Sequence, residues 1–183
     1  MHCPRVGARL PRHGFTTIEL LCTIAIAAIA LAVGIPNLQR GVMAHALAMR
    51  LEGFTSALRF ARSEALKRGE TVTVCVAAVP VGAAPACAAE PAWQDGWLVF
   101  LDRGELGAFD DGDRLLAVQT DDRPGIRIES TRRAISFRAS GVAVNGTGSY
   151  QFAPSQSGAD AALIRTVCVN KQGRARVVGG GCA

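Results

Sequence analysis

An uninterrupted apolar stretch near the amino terminus constrains this chain more than any other feature of its sequence. Residues 15–35 read FTTIELLCTIAIAAIALAVGI, and apart from three threonines and one glutamate they are apolar. A helix of about 21 residues, rising about 1.5 Å per residue, spans the roughly 30 Å hydrocarbon core of a bilayer. The stretch is too long for the apolar region of a typical secretory signal, and no Ala-x-Ala-like site with a clean break follows it. It therefore predicts a transmembrane segment over residues 15–36.

Basic residues lie directly before this stretch. Arg5, Arg9 and Arg12 all precede Gly14, and positive charge beside a membrane helix favours the cytoplasmic side. The sequence therefore predicts a cytoplasmic amino end and an exported carboxyl end.

One carboxylate, that of Glu19, lies inside the apolar stretch. A charged side chain within a membrane helix costs on the order of 3 kcal/mol, so a partner for it is expected. If the chain is cut after Gly14, the new α-amine of Phe15 on a neighbouring copy or another subunit is a suitable counter-charge. The alternative is a carboxylate that the helix N-terminus stabilises without any partner.

A helical pattern resumes beyond Pro36, a residue that removes one backbone donor and bends a helix without necessarily ending it. Apolar residues then recur at steps of three and four, at Leu47, Leu51, Phe54, Leu58, Ala61 and Ala65. Arg50, Arg59, Arg62 and Lys67 occupy other positions. The pattern predicts one helix over 16–68 whose second half, 37–68, is amphipathic and ends at a C-cap at Gly69.

The remainder of the chain, residues 69–183, reads as short strands separated by clusters of Gly, Asp, Asn and Ser. The predicted strands are Thr71–Ala77, Trp97–Leu101, Leu115–Gln119, Ile126–Glu129, Ala134–Arg138, Tyr150–Phe152, Ile164–Val169 and Arg174–Val178. One long helix followed by many strands predicts an α+β fold, with the helix packed on an antiparallel β-sheet head and with Trp97 and Phe100 in its core.

Six cysteines are present, of which Cys3 and Cys22 lie in or before the apolar stretch. Three pairings of the other four are open, and disulfides are permitted in an exported segment. The pairs Cys75–Cys87 and Cys168–Cys182 are favoured because each closes a short, hairpin-sized loop. A zinc site is the weaker alternative, since no Cys-x-x-Cys spacing occurs and all three histidines precede residue 46.

Charge is distributed unevenly along the chain. The formal net charge is +5, and without residues 1–14 it falls to +2, from 17 basic and 15 acidic side chains. Residues 69–131 carry four basic and eleven acidic groups, whereas residues 132–183 carry seven basic groups and one acidic group. This segregation predicts a directional surface field rather than general affinity for nucleic acid.

The head carries no recognisable catalytic constellation. It contains no histidine and no nucleophile elbow, phosphate-binding loop or zinc-protease motif, so neither an enzyme nor a cofactor is predicted. Four carboxylates, those of Asp102, Asp110, Asp111 and Asp113, resemble part of a calcium loop but lack the closing Glu of an EF-hand. A solvated turn between strands is the favoured interpretation.

Alternating arginines stand near the carboxyl end, in Gly173-Arg174-Ala175-Arg176. On a strand both side chains would project from one face, with Lys171 and Arg165 nearby in sequence and a disulfide between Cys168 and Cys182 bracketing the segment. Such arginines suit phosphate contacts. The alternative is an edge strand that charge protects from aggregation.

The amino-terminal sequence Gly14-Phe15-Thr16-Thr17-Ile18-Glu19-Leu20 resembles the cleavage motif of type IV pilins and type II secretion pseudopilins, Gly-Phe-Thr-Leu-Ile-Glu-Leu. The resemblance implies that a prepilin peptidase removes residues 1–14, that Phe15 is then N-methylated, and that Glu19 serves filament assembly. Pro36 falls where such pilins often carry a helix-bending proline. It also implies a head exported from the bacterial inner membrane, with other pilins and the assembly platform as partners.

Two further segments, ARSEALKRG at 61–69 and WQDGWLVF at 93–100, resemble the GspH/FimT family of minor pilins and pseudopilins. The resemblance implies a structural subunit of a type IV pilus or of the type II secretion pseudopilus. The Gly-Arg-x-Arg sequence is similar to the DNA-contacting motif of FimT-type minor pilins. It implies an alternative role in capturing double-stranded DNA through Arg174, Arg176, Lys171 and Arg165.

Overall fold

The computed structural model describes residues 15–78, 84–120, 125–156 and 161–182. Residues 1–14, with the cleavage site predicted at Gly14, lie outside them. One helix, α1, spans Thr17–Arg68. Eight strands follow: β1 Val72–Val76, β2 Gly96–Leu101, β3 Arg114–Thr120, β4 Ile126–Glu129, β5 Ala134–Phe137, β6 Gly148–Pro154, β7 Arg165–Val169 and β8 Ala175–Gly179. Short 3₁₀ turns cover Trp93–Asp95 and Ala161–Leu163.

The predicted helix and all eight predicted strands are confirmed, with ends that shift by one or two residues. Helix α1 continues through Pro36. It ends where Gly69 adopts a φ of 69° and donates its N–H to the Ala65 carbonyl oxygen at 3.0 Å. Glycine suits this left-handed C-cap because a Cβ would be strained there.

The residues before Met43 form a unit of their own. The helix contains a window long and apolar enough to cross a membrane, judged by its length and composition, and none of that window is buried. Ile18, Leu21, Ile29 and Val33 are all more than half exposed. A surface of this kind is stable only where lipid or other apolar chains cover it.

Residues from Met43 onward form the second unit, the head. Its strands make two four-stranded sheets, ordered β3-β2-β1-β5 and β4-β6-β7-β8. All the strand pairs are antiparallel, as predicted. The division into two sheets arises because β6 pairs with β4 and β7 and so leaves β5 at the edge of the first sheet.

One apolar core joins residues 43–68 of α1 to both sheets, and Phe54 lies at its centre. The Phe54 ring is fully buried and its centroid lies 5.2–5.5 Å from those of Trp93, Trp97, Tyr150 and Phe152. Trp97 comes from the first sheet, and Tyr150 and Phe152 come from the second. The helix therefore holds the two sheets together through one aromatic cluster.

A second, smaller cluster covers the other face of the first sheet. Cys75, Leu98 and Phe100 point to this side because side chains alternate along a strand. The predicted disulfide Cys75–Cys87 is formed, with a Cα–Cα distance of 5.7 Å, and it fastens the segment around Cys87 over β1. Both predicted core residues, Trp97 and Phe100, are buried, one in each cluster.

Arg50 differs from the amphipathic pattern, which placed it away from the apolar face. It is only 7% exposed, and its guanidinium lies 4.6 Å from the centroid of the Trp97 ring. It also donates to the Gln94 carbonyl oxygen at 2.7 Å. An arginine tolerates this position because the aromatic face and the backbone oxygen replace the water that its charge loses.

Replacing Phe54 with alanine should destabilise the head by about 3–5 kcal/mol, since a fully buried ring shared by two sheets leaves a cavity. Phe60 on the same helix is 39% exposed, so Phe60→Ala is the matched control and should cost less than about 1 kcal/mol. Chemical denaturation followed by tryptophan fluorescence measures both. Equal losses would contradict the central place given to Phe54.

Candidate functional site

The amino end of α1 is organised by a hydrogen bond between side chain and backbone. The Thr16 hydroxyl oxygen accepts the Glu19 N–H at 3.3 Å. Thr16 precedes the first helical residue, and Glu19 is third in the helix, so the pair has the spacing of a capping box. Glu19 is the single charged side chain in residues 15–39. Its N–H is therefore the group that Thr16 caps, and its carboxylate is an isolated charge on an apolar surface.

The carboxyl-terminal arginines follow a tight turn between β7 and β8. Asn170 closes this turn from both sides. Its N–H donates to the Arg174 carbonyl oxygen at 3.1 Å, and its side-chain oxygen accepts the Arg174 N–H at 2.9 Å. Gly173, with a φ of 71°, donates to the Asn170 carbonyl oxygen at 2.9 Å. The turn thereby fixes where Arg174 leaves the sheet.

Gly173 docks this turn onto the loop after β5. It is buried, and a Cβ at this position would lie 2.3 Å from the Gly141 carbonyl oxygen. That same oxygen accepts a hydrogen bond from Arg62 Nε at 3.0 Å, and the Ala143 N–H donates to the Lys171 carbonyl oxygen at 3.0 Å. The glycine of the Gly-Arg-x-Arg sequence is thus required by packing and by its left-handed backbone.

Three of the four predicted cationic residues stand on the surface of this region. Lys171, Arg174 and Arg176 are exposed, and none of them pairs with a carboxylate among the described residues. Arg174 was predicted to be the first residue of the last strand. Strand β8 begins at Ala175, so Arg174 lies just before it. Arg176 lies opposite Cys168 on β7.

Arg165 lies apart from them. It pairs with Gly179 at the far end of β7, three residues from Cys168, so alternation directs it to the other face of the sheet. Its guanidinium donates to the carbonyl oxygens of Ala162 and Ile164, at 2.7 and 2.8 Å. Nearness in sequence suggested that Arg165 lies beside the other cations, but the strand register places it on the opposite face of the sheet.

The predicted disulfide Cys168–Cys182 is formed, with a Cα–Cα distance of 5.8 Å. The Thr166 hydroxyl also donates to the Gly180 carbonyl oxygen. Thr166 and Cys168 lie on the same face of β7, opposite Val178 and Arg176. The segment after β8 is therefore fastened at two points to the face from which Arg176 projects.

The acidic loop between β2 and β3 uses its carboxylates internally. Asp110 accepts the N–H groups of Glu105 and Gly112, and Asp113 accepts those of Arg103 and Asp110. Asp102 is buried and accepts from Thr73 and Gly107, and burial raises the pKa of its carboxyl group. Within the described residues, no group of three or more metal-ligating side chains is arranged to hold an ion.

The fold and these sites define a pilin-like protein, in which a long apolar helix continues into a head of antiparallel sheets. The family model of the type II transport protein GspH matches residues 51–173, about two thirds of the chain. The chain therefore belongs to the GspH family. The match ends at Gly173, so Arg174 and Arg176 follow directly after it.

A solved structure agrees with this fold. The type IV minor pilin FimU of Pseudomonas aeruginosa strain PAO1 superposes with a TM-score of 0.54 at 18% identity, covering 73% of this chain and 89% of FimU. A second crystal form of FimU has a TM-score of 0.49, again at 18% identity, covering 72% and 91%. Comparison with the curated proteins finds no match.

Membership of this family places the chain among the type II transport proteins of the GspH class, and the minor pilin FimU shares its fold. Members of this class are structural subunits that associate with other pilins in a filament. The apolar helix and the family together indicate a membrane anchor.

Gly173→Ala should cost about 1–3 kcal/mol, because the new methyl group meets the Gly141 carbonyl oxygen and the backbone stays left-handed. Gly179→Ala is the matched control. A Cβ there meets nothing within 4 Å, so its effect should stay within about 0.5 kcal/mol. Thermal unfolding of both variants measures the difference. A neutral Gly173→Ala would show that the turn does not dock as described.

Proposed function

We propose that this chain is a minor subunit that helps to initiate or cap a type IV filament, either a pilus or the pseudopilus of type II secretion. The observation that carries the proposal is the part of α1 before Arg40, whose apolar side chains are exposed all round and which holds a single charge, Glu19. Polymerisation by helix packing would cover these side chains. The protein has a structural role and no catalytic one.

The processing steps are part of this proposal. A prepilin peptidase cuts between Gly14 and Phe15, and the new amino terminus of Phe15 is methylated. Residues 15–36 then lie in the bacterial inner membrane, with the amino end cytoplasmic and the head in the periplasm. The assembly platform of that membrane extracts the subunit, and Glu19 pairs with the α-amine of a neighbouring subunit.

Glu19→Gln tests the charge separately from the cap. A glutamine has the same length and also suits this position of a capping box, but it carries no charge to pair with an amine. The variant should therefore be cleaved normally and largely lost from filaments. Thr16→Ala is the matched control, because it removes the cap at a cost of about 1 kcal/mol and keeps the charge. Immunoblots of sheared filaments and membranes measure both.

Normal incorporation of Glu19→Gln would overturn the charge-pairing account. Loss of Thr16→Ala together with retention of Glu19→Gln would point to the same conclusion.

A second function is favoured by a specific observation, the exposed arginines after the docked Gly173. We propose that the head also captures double-stranded DNA through Arg174, Arg176 and Lys171. Their guanidinium and ammonium groups have no carboxylate partner among the described residues, and phosphate contacts of this kind are independent of base sequence. The same arginines would protect the free edge of β8 if no DNA were bound.

Replacing Arg174 and Arg176 together with glutamine should weaken DNA binding at least tenfold and reduce the dependence of log K on log salt by about two, one for each lost phosphate contact. Arg132→Gln with Arg133→Gln is the matched control, since both side chains are exposed and the loss of charge is equal. Gel shifts across a salt series measure both pairs. Unchanged affinity after the first replacement would exclude this site.

A further inference from the structure

Three segments that are distant in sequence meet beside the docked turn. They are the last turns of α1, which contribute Arg62, the loop between β5 and β6, and the β7–β8 turn. Their contacts are the hydrogen bond from Arg62 to Gly141, the close approach of Gly173 to Gly141, and the bond from Ala143 to Lys171. The loop and the turn are therefore fixed relative to one another.

This arrangement brings one further cation to the turn. Arg138 follows the last residue of β5 and is exposed. Its N–H donates to the Val142 carbonyl oxygen at 3.0 Å, and the next residue, Ala143, donates to Lys171 at 3.0 Å. Backbones paired in this way lie about 5 Å apart, so Arg138 is about 10 Å from Lys171 at the backbone. Phosphates of one DNA strand recur about every 3.4 Å along the axis, so this span covers about three of them.

The charge balance of the carboxyl-terminal sequence that contains Arg138 also favours an anionic partner. Residues 132–183 contain one acidic side chain, Asp160, against seven basic ones. No ion pair involves Arg138 within the part of the chain that the structure describes. Its charge is therefore available in the same way as those of Lys171 and Arg174.

The side chains of the loop after β5 and of the β7–β8 turn indicate which class of nucleic acid could bind. Residues 138–147 and 170–174 contain no aromatic side chain, so they offer no platform for stacking unpaired bases. A surface of arginine and lysine without rings suits the phosphates of a duplex.

We propose that Arg138 is a fourth phosphate-contacting residue of the DNA site, beside Arg174, Arg176 and Lys171, and that it acts together with Lys171 and Arg174 on one duplex backbone. This inference rests on the proposed DNA-binding function and replaces Arg165 by Arg138 in the cationic group. The loop after β5, held by Gly141 and Ala143, positions it.

Strand β5 supplies a matched control for the test. Arg133 directly precedes β5 and Arg138 directly follows it, and both side chains are exposed. The two arginines lie at opposite ends of the strand, about 17 Å apart at about 3.3 Å per residue. Arg133→Gln and Arg138→Gln therefore remove the same charge at two different places.

The experiment uses the full chain in detergent and a short fluorescein-labelled duplex, with anisotropy followed across a salt series. Arg138→Gln should weaken binding about threefold to tenfold and reduce the salt slope by about one, whereas Arg133→Gln should leave the slope unchanged. Thermal unfolding confirms that both variants remain folded.

The outcomes separate this inference from the function on which it rests. Equal effects of the two variants, whether small or large, would overturn the role of Arg138. If binding at the same time still depends on Arg174 and Arg176, the DNA-binding function stands without Arg138. If the unmodified chain binds no duplex, both are overturned.

Discussion

The apolar core centred on Phe54 holds the head together, and the other features of the head depend on it. Through this ring, residues 43–68 of α1 contact Trp93, Trp97 of the first sheet and the aromatic residues of β6. Residues 15–42 precede that part of the chain and have no apolar core to pack against. Their apolar side chains are exposed within the single chain, so lipid or neighbouring subunits must cover them. One helix thus serves two environments, and this division is what a filament subunit requires.

A few small or polar residues determine where the arginines of the β7–β8 turn lie on the head. Gly141 and Gly173 allow two loops to touch through their backbones, and Asn170 closes the turn between β7 and β8. The arginines themselves make few contacts, so their positions depend on this backbone packing. The disulfide at Cys168 and the Thr166 hydrogen bond then fasten the chain end beside them. Among the described residues, this cationic surface keeps its shape without ion pairs to carboxylates.

Much of this could be predicted from the sequence. The helix and strands follow from periodicity, and the two disulfides follow from short loop lengths. Periodicity did not predict that Arg50 is buried, because its burial against Trp97 depends on a contact between residues far apart in the chain. The position of Arg165 could not be foreseen either, because it depends on the register between β7 and β8. Alternation along β7 directs its side chain to the other face of the sheet. Arg138 and Arg62 were missed for the same reason, since only the docking of Gly173 on Gly141 brings their segments to the turn.

The central claim is that the chain becomes a membrane subunit with an exported head once residues 1–14 are removed. Intact-mass spectrometry of the protein extracted from a host that carries a prepilin peptidase tests this most directly. We expect a chain that begins at Phe15, carries one N-methyl group and contains two disulfide bonds. A mass that corresponds to the uncut chain with its cysteines reduced would contradict it.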